Sequence, residues 1–196
     1  MCGRFYVDDE TAGVLEKIAR EVDLRLGRMR TGDIYPSQKA GVLAAKTAER
    51  ELDEIRWGFL REQRKGLLIN ARAETVLQRS MFCESVQHRR CVIPARHFYE
   101  WDAEKNKVTF FREDGAVLYL AGFYNRFADG LRFIILTTKA NASVSPVHDR
   151  MPLILEKREL ADWIYEDGYT QDVLHKRPML LGHTQEYEQQ QLIFNS

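Results

Sequence analysis

The run Arg90–Lys139, RCVIPARHFYEWDAEKNKVTFFREDGAVLYLAGFYNRFADGLRFIILTTK, decides the fold. Residues 97–102, 107–113, 116–125 and 131–138 form short segments rich in β-branched and aromatic residues, and Asn106, Gly115 and Gly130 stand between them as turn residues. Cys91-Val92-Ile93-Pro94 opens this half as a further apolar strand. Short strands joined by tight turns pair with their neighbours in sequence, so the expected centre is a mostly antiparallel, strongly curved, barrel-like sheet.

Outward from that centre the pattern changes period. Toward the N-terminus, Val14, Leu15, Ile18 and Val22 recur at helical spacing behind the candidate caps Asp8 and Asp9. Gly32-Asp33-Ile34-Tyr35-Pro36-Ser37 reads as a loop, with Pro36 holding Tyr35 extended. Residues 40–46 and 52–59 read as a hairpin, the second strand showing Ile55, Trp57 and Phe59 on one face. Leu67-Leu68-Ile69 begins as a buried strand and turns polar at Asn70, and helical turns follow over 74–88. Beyond the centre, a loop from Lys139 to Pro146 leads to the strand Leu153-Ile154-Leu155. Helical periodicity returns around 157–165 and 169–175, and an apolar tail closes the chain against the surface. The class expected is α+β in one domain, 1–196, with a core over about 1–155 and an acidic helical part over about 156–196.

Charge and cysteine usage narrow the function. A formal charge of zero conceals an asymmetry, because residues 156–196 hold 8 Asp/Glu against 4 Lys/Arg and leave the remainder at +4. Two basic stretches, Arg56 to Lys65 and His88-Arg89-Arg90 with Arg96-His97, interleave cations with aromatic or apolar residues as a nucleic-acid groove would. Apolar runs are too short to span a bilayer, and Arg4 with the acidic residues after Val7 does not resemble a secretion signal, so a cytoplasmic protein that meets no membrane is expected. Cys2, Cys83 and Cys91 include no Cys-x-x-Cys pair, which argues against a disulfide framework. Cys83, His88, Cys91 and His97 match no common zinc spacing, so no metal and no cofactor is expected, and Cys83 and Cys91 are assigned to the core.

Chemistry gathers at the terminus. Removal of Met1 would leave Cys2 with an α-amine and a thiol on adjacent carbons, a 1,2-aminothiol that condenses with an aldehyde as an imine and then closes through sulfur to a thiazolidine. Asn70, Glu100 and His148 each stand at a strand end or loop edge, where a rigid strand delivers a polar side chain to a cleft. A carboxylate and an imidazole beside an amine supply the proton transfers that imine formation needs, and an amide can orient the aminothiol. If apolar neighbours bury Glu100, its pKa should rise.

These residues lie in motifs that resemble the SRAP (SOS response-associated peptidase) family: Met1-Cys2-Gly3-Arg4-Phe5, Trp57-Gly58, Asn70-Ala71-Arg72-Ala73-Glu74-Thr75, Arg90 to Ala95 running into Phe98-Tyr99-Glu100-Trp101, and His148-Asp149-Arg150-Met151-Pro152. The resemblance covers residues 1 to about 155, in the family's order. It implies a monomeric DNA repair protein that crosslinks Cys2 to the aldehyde of an abasic site in single-stranded DNA. It further implies a catalytic set of Cys2, Asn70, Glu100 and His148, with Arg4, Trp57, Gly58, Arg72 and Thr137 on the DNA. Departures occur where Phe59 to Lys65 replaces the wedge of Pro and Trp common after Trp-Gly, where Asp33 replaces a common Asn, and where Ser80 takes the place of an arginine. Two other readings fit the same residues. An N-terminal-cysteine peptidase or amidohydrolase, acting at least on its own Met1 junction, would turn over amides without an adduct. A plain single-strand binder would ignore the loss of Cys2.

Overall fold

The computed structural model describes residues 2–45, 55–61 and 65–185. In chain order the elements are β1 (Phe5–Val7), α1 (Asp9–Glu21), β2 (Arg25–Leu26), β3 (Gly32–Ile34), β4 (Lys39–Ala40), β5 (Leu43–Ala44), β6 (Ile55–Trp57), β7 (Phe59–Leu60), β8 (Leu67–Leu68) and β9 (Asn70–Arg72). A 3-10 turn over Ala73–Gln78 leads to α2 (Ser80–His88), β10 (Arg90–Ala95), β11 (His97–Trp101), β12 (Lys107–Phe111), β13 (Leu118–Phe127) and β14 (Gly130–Lys139). The chain then forms β15 (Arg150–Pro152), β16 (Ile154–Leu155), α3 (Leu160–Tyr165), α4 (Thr170–Leu174) and β17 (Gly182–Gln185). The class is α+β, and the strand pairs are antiparallel except where β6 and β9 run parallel to β14.

The strands of the deciding stretch form where expected, but they divide between two sheets. One sheet has the order β17-β12-β11-β1-β3. The other, of ten strands, runs β2-β5-β10-β13-β14-β6-β4, with β9 and β15 paired to β14 and β16 to β13. The chain changes sheet twice, between β10 and β11 and again between β12 and β13 at the Arg112–Gly115 turn, so the β11–β12 and β13–β14 hairpins do not pair with each other.

Residue alternation along β13 and β14 explains the layering. Leu118, Leu120, Leu131, Phe133 and Ile135 face a core shared with Phe5, Ile34, Phe98 and Phe110 of the smaller sheet. Their neighbours Tyr119, Ala121, Phe123, Ile134 and Leu136 face a second core, closed by Leu15 and Ile18 of α1, Val86 of α2 and Trp163 of α3. A strand buried on both faces must be apolar at every position, which is why these two read as nearly continuous hydrophobic runs.

Other expectations are corrected by particular contacts. The proposed strand 40–46 breaks into β4 and β5, and β4 pairs antiparallel with β6, while 46–54 lies outside the described residues. Gly58, at φ +104°, turns the chain so that Phe59 enters the second core and not the one holding Ile55 and Trp57. The loop assigned to 32–37 begins as β3, paired with β1. On α1, Val14 faces solvent and Thr11, Leu15, Ile18 and Ala19 form the buried face, with Asp8 accepting the Thr11 N–H at 2.7 Å as the cap. Near the end of the chain Gly182–Gln185 is an edge strand on β12, and the apolar tail lies outside the described residues.

The basic stretch at 88–97 is consumed by the fold. Arg90 is almost fully enclosed, donating to the Trp163, Gln87 and Ile164 carbonyls and to Asp167 at 2.8 Å, and so fastens α3 to β10. Arg89 pairs with Glu84 at 2.8 Å, and Arg96 with Asp8 and Glu10. Replacing Arg90 by Ala should therefore lower stability by about 2–4 kcal/mol, because several buried carbonyls lose their donor. Asp167→Asn, at the exposed end of the pair, should cost under about 1 kcal/mol. Urea denaturation of both variants checks the contrast.

Candidate active site

Cys2 lies just before β1, and β1 is clamped between β11 and β3. Phe5 pairs with Phe98, and the Tyr99 N–H donates to the Arg4 carbonyl at 3.1 Å. One residue further along that register, Gly3 stands opposite Glu100. The pairing thus carries Glu100 to Cys2 through backbone geometry alone. Asn70 arrives from the other sheet, as the first residue of β9, and its Nδ2 donates to the Cys2 carbonyl at 2.9 Å. Asn70 Oδ1 is also buried and has no hydrogen-bond partner among the described residues.

Burial controls the titration of the site. Cys2 is fully enclosed, and its Sγ faces the Arg4 carbonyl at 3.7 Å. Burial, and then the negative charge of Glu100, push its thiol well above the usual cysteine range, so sulfur waits as the thiol. Glu100 is 2% exposed, and burial raises its carboxyl from an ordinary 4.5 to about 7, with Asp149 adding a smaller push. The expected rise in the Glu100 pKa is therefore present.

His148 sits on the loop before β15 with its ring partly exposed. Its Nδ1 is 2.9 Å from the Arg150 N–H and 3.0 Å from Asp149. Burial lowers its pKa, so the ring is neutral near pH 7 and Nδ1 accepts the Arg150 N–H, which leaves the proton on Nε2. The Asp149 carboxylate is largely in water, and its ion pair with the ring counts only when the imidazole is protonated.

An ion pair unremarked in the sequence holds this loop in place. Arg150 grips Glu74 with two parallel hydrogen bonds of 2.7 and 2.8 Å, and its Nη2 also donates to the Thr137 carbonyl at 2.6 Å. It therefore ties together the motif at 70–75, the end of β14 and the His148 loop. A Glu four residues after Asn70 and an Arg two residues after His148 are the sequence signal for it.

The other predicted positions separate into two groups. Arg72 is exposed at the end of β9. Arg4 is half-buried, 3.4 Å from Asp33, with its guanidinium about 5 Å from the ring centres of Tyr35, Tyr99 and Trp101. Trp57, Gly58 and Thr137, expected against DNA, are buried instead. Trp57 is a core aromatic packed on Phe5 and Phe133, and its Nε1 donates to the Ile69 carbonyl at 2.9 Å, so it offers no ring face to a base. Gly58 makes the turn into β7, and the Thr137 hydroxyl faces the Ala71 carbonyl at 3.4 Å. Cys91 is core as expected, whereas Cys83 is half-buried on α2. Among the described residues, no group of three or more His, Cys, Asp and Glu could hold a metal ion, and no helix is long and apolar enough to cross a membrane.

The model of the SOS response associated peptidase (SRAP) family matches residues 1–193. The chain belongs to the SRAP family. Among relatives of this SRAP protein, the abasic site processing protein YoqW of Bacillus subtilis is 29% identical over 189 residues, spanning 89% of this chain and 84% of that one. The abasic site processing protein YedK of Escherichia coli is 28% identical over 179 residues, spanning 85% and 81%. A crystal structure of a Bordetella bronchiseptica protein superposes with a TM-score of 0.75 at 24% identity, covering 94% of this chain and 99% of that chain, which supports the fold.

The raised carboxyl of Glu100 has a measurable cost. Its folded pKa lies above its ordinary one, so its contribution favours folding below about pH 4.5 and is lost as pH rises through about 7. Unfolding curves across this window should show a fall on the order of 3 kcal/mol, and Glu100→Gln should remove that fall.

Proposed function

We propose that this SRAP protein processes abasic sites in single-stranded DNA by forming a covalent adduct through Cys2 once Met1 has been removed. The observation that carries this reading is the enclosed meeting of Cys2, Asn70 and Glu100, directly behind the initiator residue. The freed amine adds to the ring-opened aldehyde, and the carbinolamine loses water to give an iminium. Sulfur then adds to the same carbon while its proton passes to a base, so one water leaves per adduct and no oxidant is needed. A carboxyl titrating at about 7 is divided between its acid and base forms near neutrality, which suits Glu100 to both proton transfers. The Asn70 amide holds the Cys2 carbonyl, and its buried Oδ1 is an acceptor for an ammonium N–H. His148, neutral with Nε2–H, is a second donor at the edge of the site.

Arg4 and Arg72 are the proposed phosphate contacts, since both carry cations beside the site. The homologues named for abasic-site processing support the substrate class. The peptidase reading draws less support, because a peptidase thiol is activated by lowering its pKa and that of Cys2 is raised. The proposal includes one domain acting as a monomer in the cytoplasm.

Intact mass spectrometry after incubation with an abasic oligonucleotide tests the chemistry. Wild type lacking Met1 should gain the oligonucleotide mass less one water, while Cys2→Ala and a chain retaining Met1 should gain nothing. An adduct on Cys2→Ala, or none on processed wild type, would sink the proposal. Glu100→Gln should slow adduct formation by about a hundredfold or more, and should remove the rate inflection near pH 7 seen in the wild type.

A further inference from the structure

One departure within the motifs plays no part in the proposed chemistry: Asp33, where an Asn is common. The fold sets it against Arg4. Tyr6 on β1 stands opposite Asp33 on β3 and opposite His97 on β11, and two positions on in the same register the Tyr99 N–H meets the Arg4 carbonyl. Strand alternation sends Phe5, Ile34 and Phe98 into the core, so Arg4, Asp33, His97 and Tyr99 share the opposite face of the smaller sheet.

Hydrogen bonds on that face run in one direction. The Tyr99 hydroxyl donates to Asp33 Oδ1 at 2.9 Å, and His97 Nε2 lies 2.8 Å from the same hydroxyl. A phenol has one proton, so His97 donates here and the Tyr99 oxygen accepts. Burial, and then the bond to Asp33, push the Tyr99 phenol well above its ordinary value, so it stays a donor at neutral pH. The second carboxylate oxygen has more distant partners, Arg4 Nη1 at 3.4 Å and the Tyr35 hydroxyl at 3.5 Å. Asp33 is thus fastened to the sheet more firmly than to Arg4.

Arg4 is short of partners. Its Nε is buried with no hydrogen-bond partner among the described residues. The rings of Tyr35, Tyr99 and Trp101 pack round the guanidinium, with their centres 4.9, 4.9 and 5.1 Å away. An anion therefore reaches Arg4 along its hydrogen-bonding edge, where Asp33 already stands with 32% of its side chain exposed. Such an anion either displaces the pair or lies beside a fixed negative charge, and in both cases it gains less than Arg4 alone would give.

We propose that Asp33 is a built-in competitor for the phosphate that Arg4 contacts, a carboxylate held in place by Tyr99 so that it weakens attachment to single-stranded DNA at the reaction site. Phosphates are the same on damaged and intact strands, whereas the aldehyde belongs to the lesion. Cancelling one cation beside Cys2 shortens residence on intact strands and leaves the covalent bond to Cys2 as what retains the protein at a lesion. The inference rests on the abasic-site reading for its ligand.

Equilibrium binding of an undamaged single-stranded oligonucleotide at 50 and 200 mM salt tests it. Asp33→Asn keeps the size of the side chain and an acceptor for Tyr99 while removing the charge. It should tighten binding about threefold at the lower salt and steepen the log–log salt slope by about 0.7, the share of one phosphate, so that the rise in salt costs about 2.6-fold more affinity than in the wild type. Added to Arg4→Ala, the same substitution should change neither quantity, because the competitor acts through Arg4. Glu16→Gln, which removes an equal charge from an exposed face of α1, should bind as the wild type does, and thermal melting confirms that each variant is folded. Equal or weaker binding by Asp33→Asn overturns the proposal, and so does a gain that survives Arg4→Ala. Adduct formation by processed wild type on an abasic oligonucleotide is followed separately: its absence sinks the abasic-site reading, whereas the Asp33 result, read on an undamaged strand, stands by itself.

Discussion

A hydrogen bond from Asn70 Nδ2 to the Cys2 carbonyl joins the two sheets at the proposed reaction site. Cys2 belongs to the strand system of β1 and β11, and Asn70 to that of β9 and β14. The large apolar core between the sheets, with Phe5, Trp57, Phe98 and Phe133, excludes water from the seam. In that setting a polar contact is strong and an unpaired polar group is costly, so the few polar side chains admitted are under tight geometric control. The same exclusion raises the pKa of the Glu100 carboxyl and keeps the Cys2 sulfur as a thiol.

Arginines serve two different purposes. Arg90, Arg132 and Arg150 hold the fold: the first fastens α3, the second bonds the Gly58 carbonyl at the turn into β7, and the third ties the His148 loop to Glu74. Their charges are consumed by carboxylates and carbonyls and are not offered to a ligand. Arg72 is exposed at the end of β9, and Arg4 meets a carboxylate only at 3.4 Å. Net charge cannot distinguish the two uses, because a buried arginine and an exposed one contribute equally to the sum.

Much of the site was readable before the fold. A polar residue ending an apolar run pointed to Asn70, Glu100 and His148, and the fold sets the Asn70 amide on the Cys2 carbonyl and the Glu100 charge beside the Cys2 thiol. Trp57 and Thr137, which only the family motifs set against DNA, are buried, because a second sheet covers positions that a local pattern cannot tell from a solvent face. The basic run at 88–97 misled for a related reason: its partners, Glu84, Asp8, Glu10 and Asp167, are brought to it only by α1, α2 and the acidic C-terminal part. The pairing of Arg150 with Glu74 left no local trace because the two are 76 residues apart.

By itself, the sequence determined the strands of 90–139, the helix after Asp8, the aminothiol precursor at Cys2 and the family motifs, since each depends on local periodicity or on residue identity. Tertiary structure alone decided that β12 and β13 part into different sheets, that β3 and β17 are edge strands, and that Glu100 lies opposite Gly3. It also decided which cations remain available. The physical reason is common to all of these: pairing across sheets and burial depend on what arrives from distant parts of the chain, and a local pattern carries no record of that arrival.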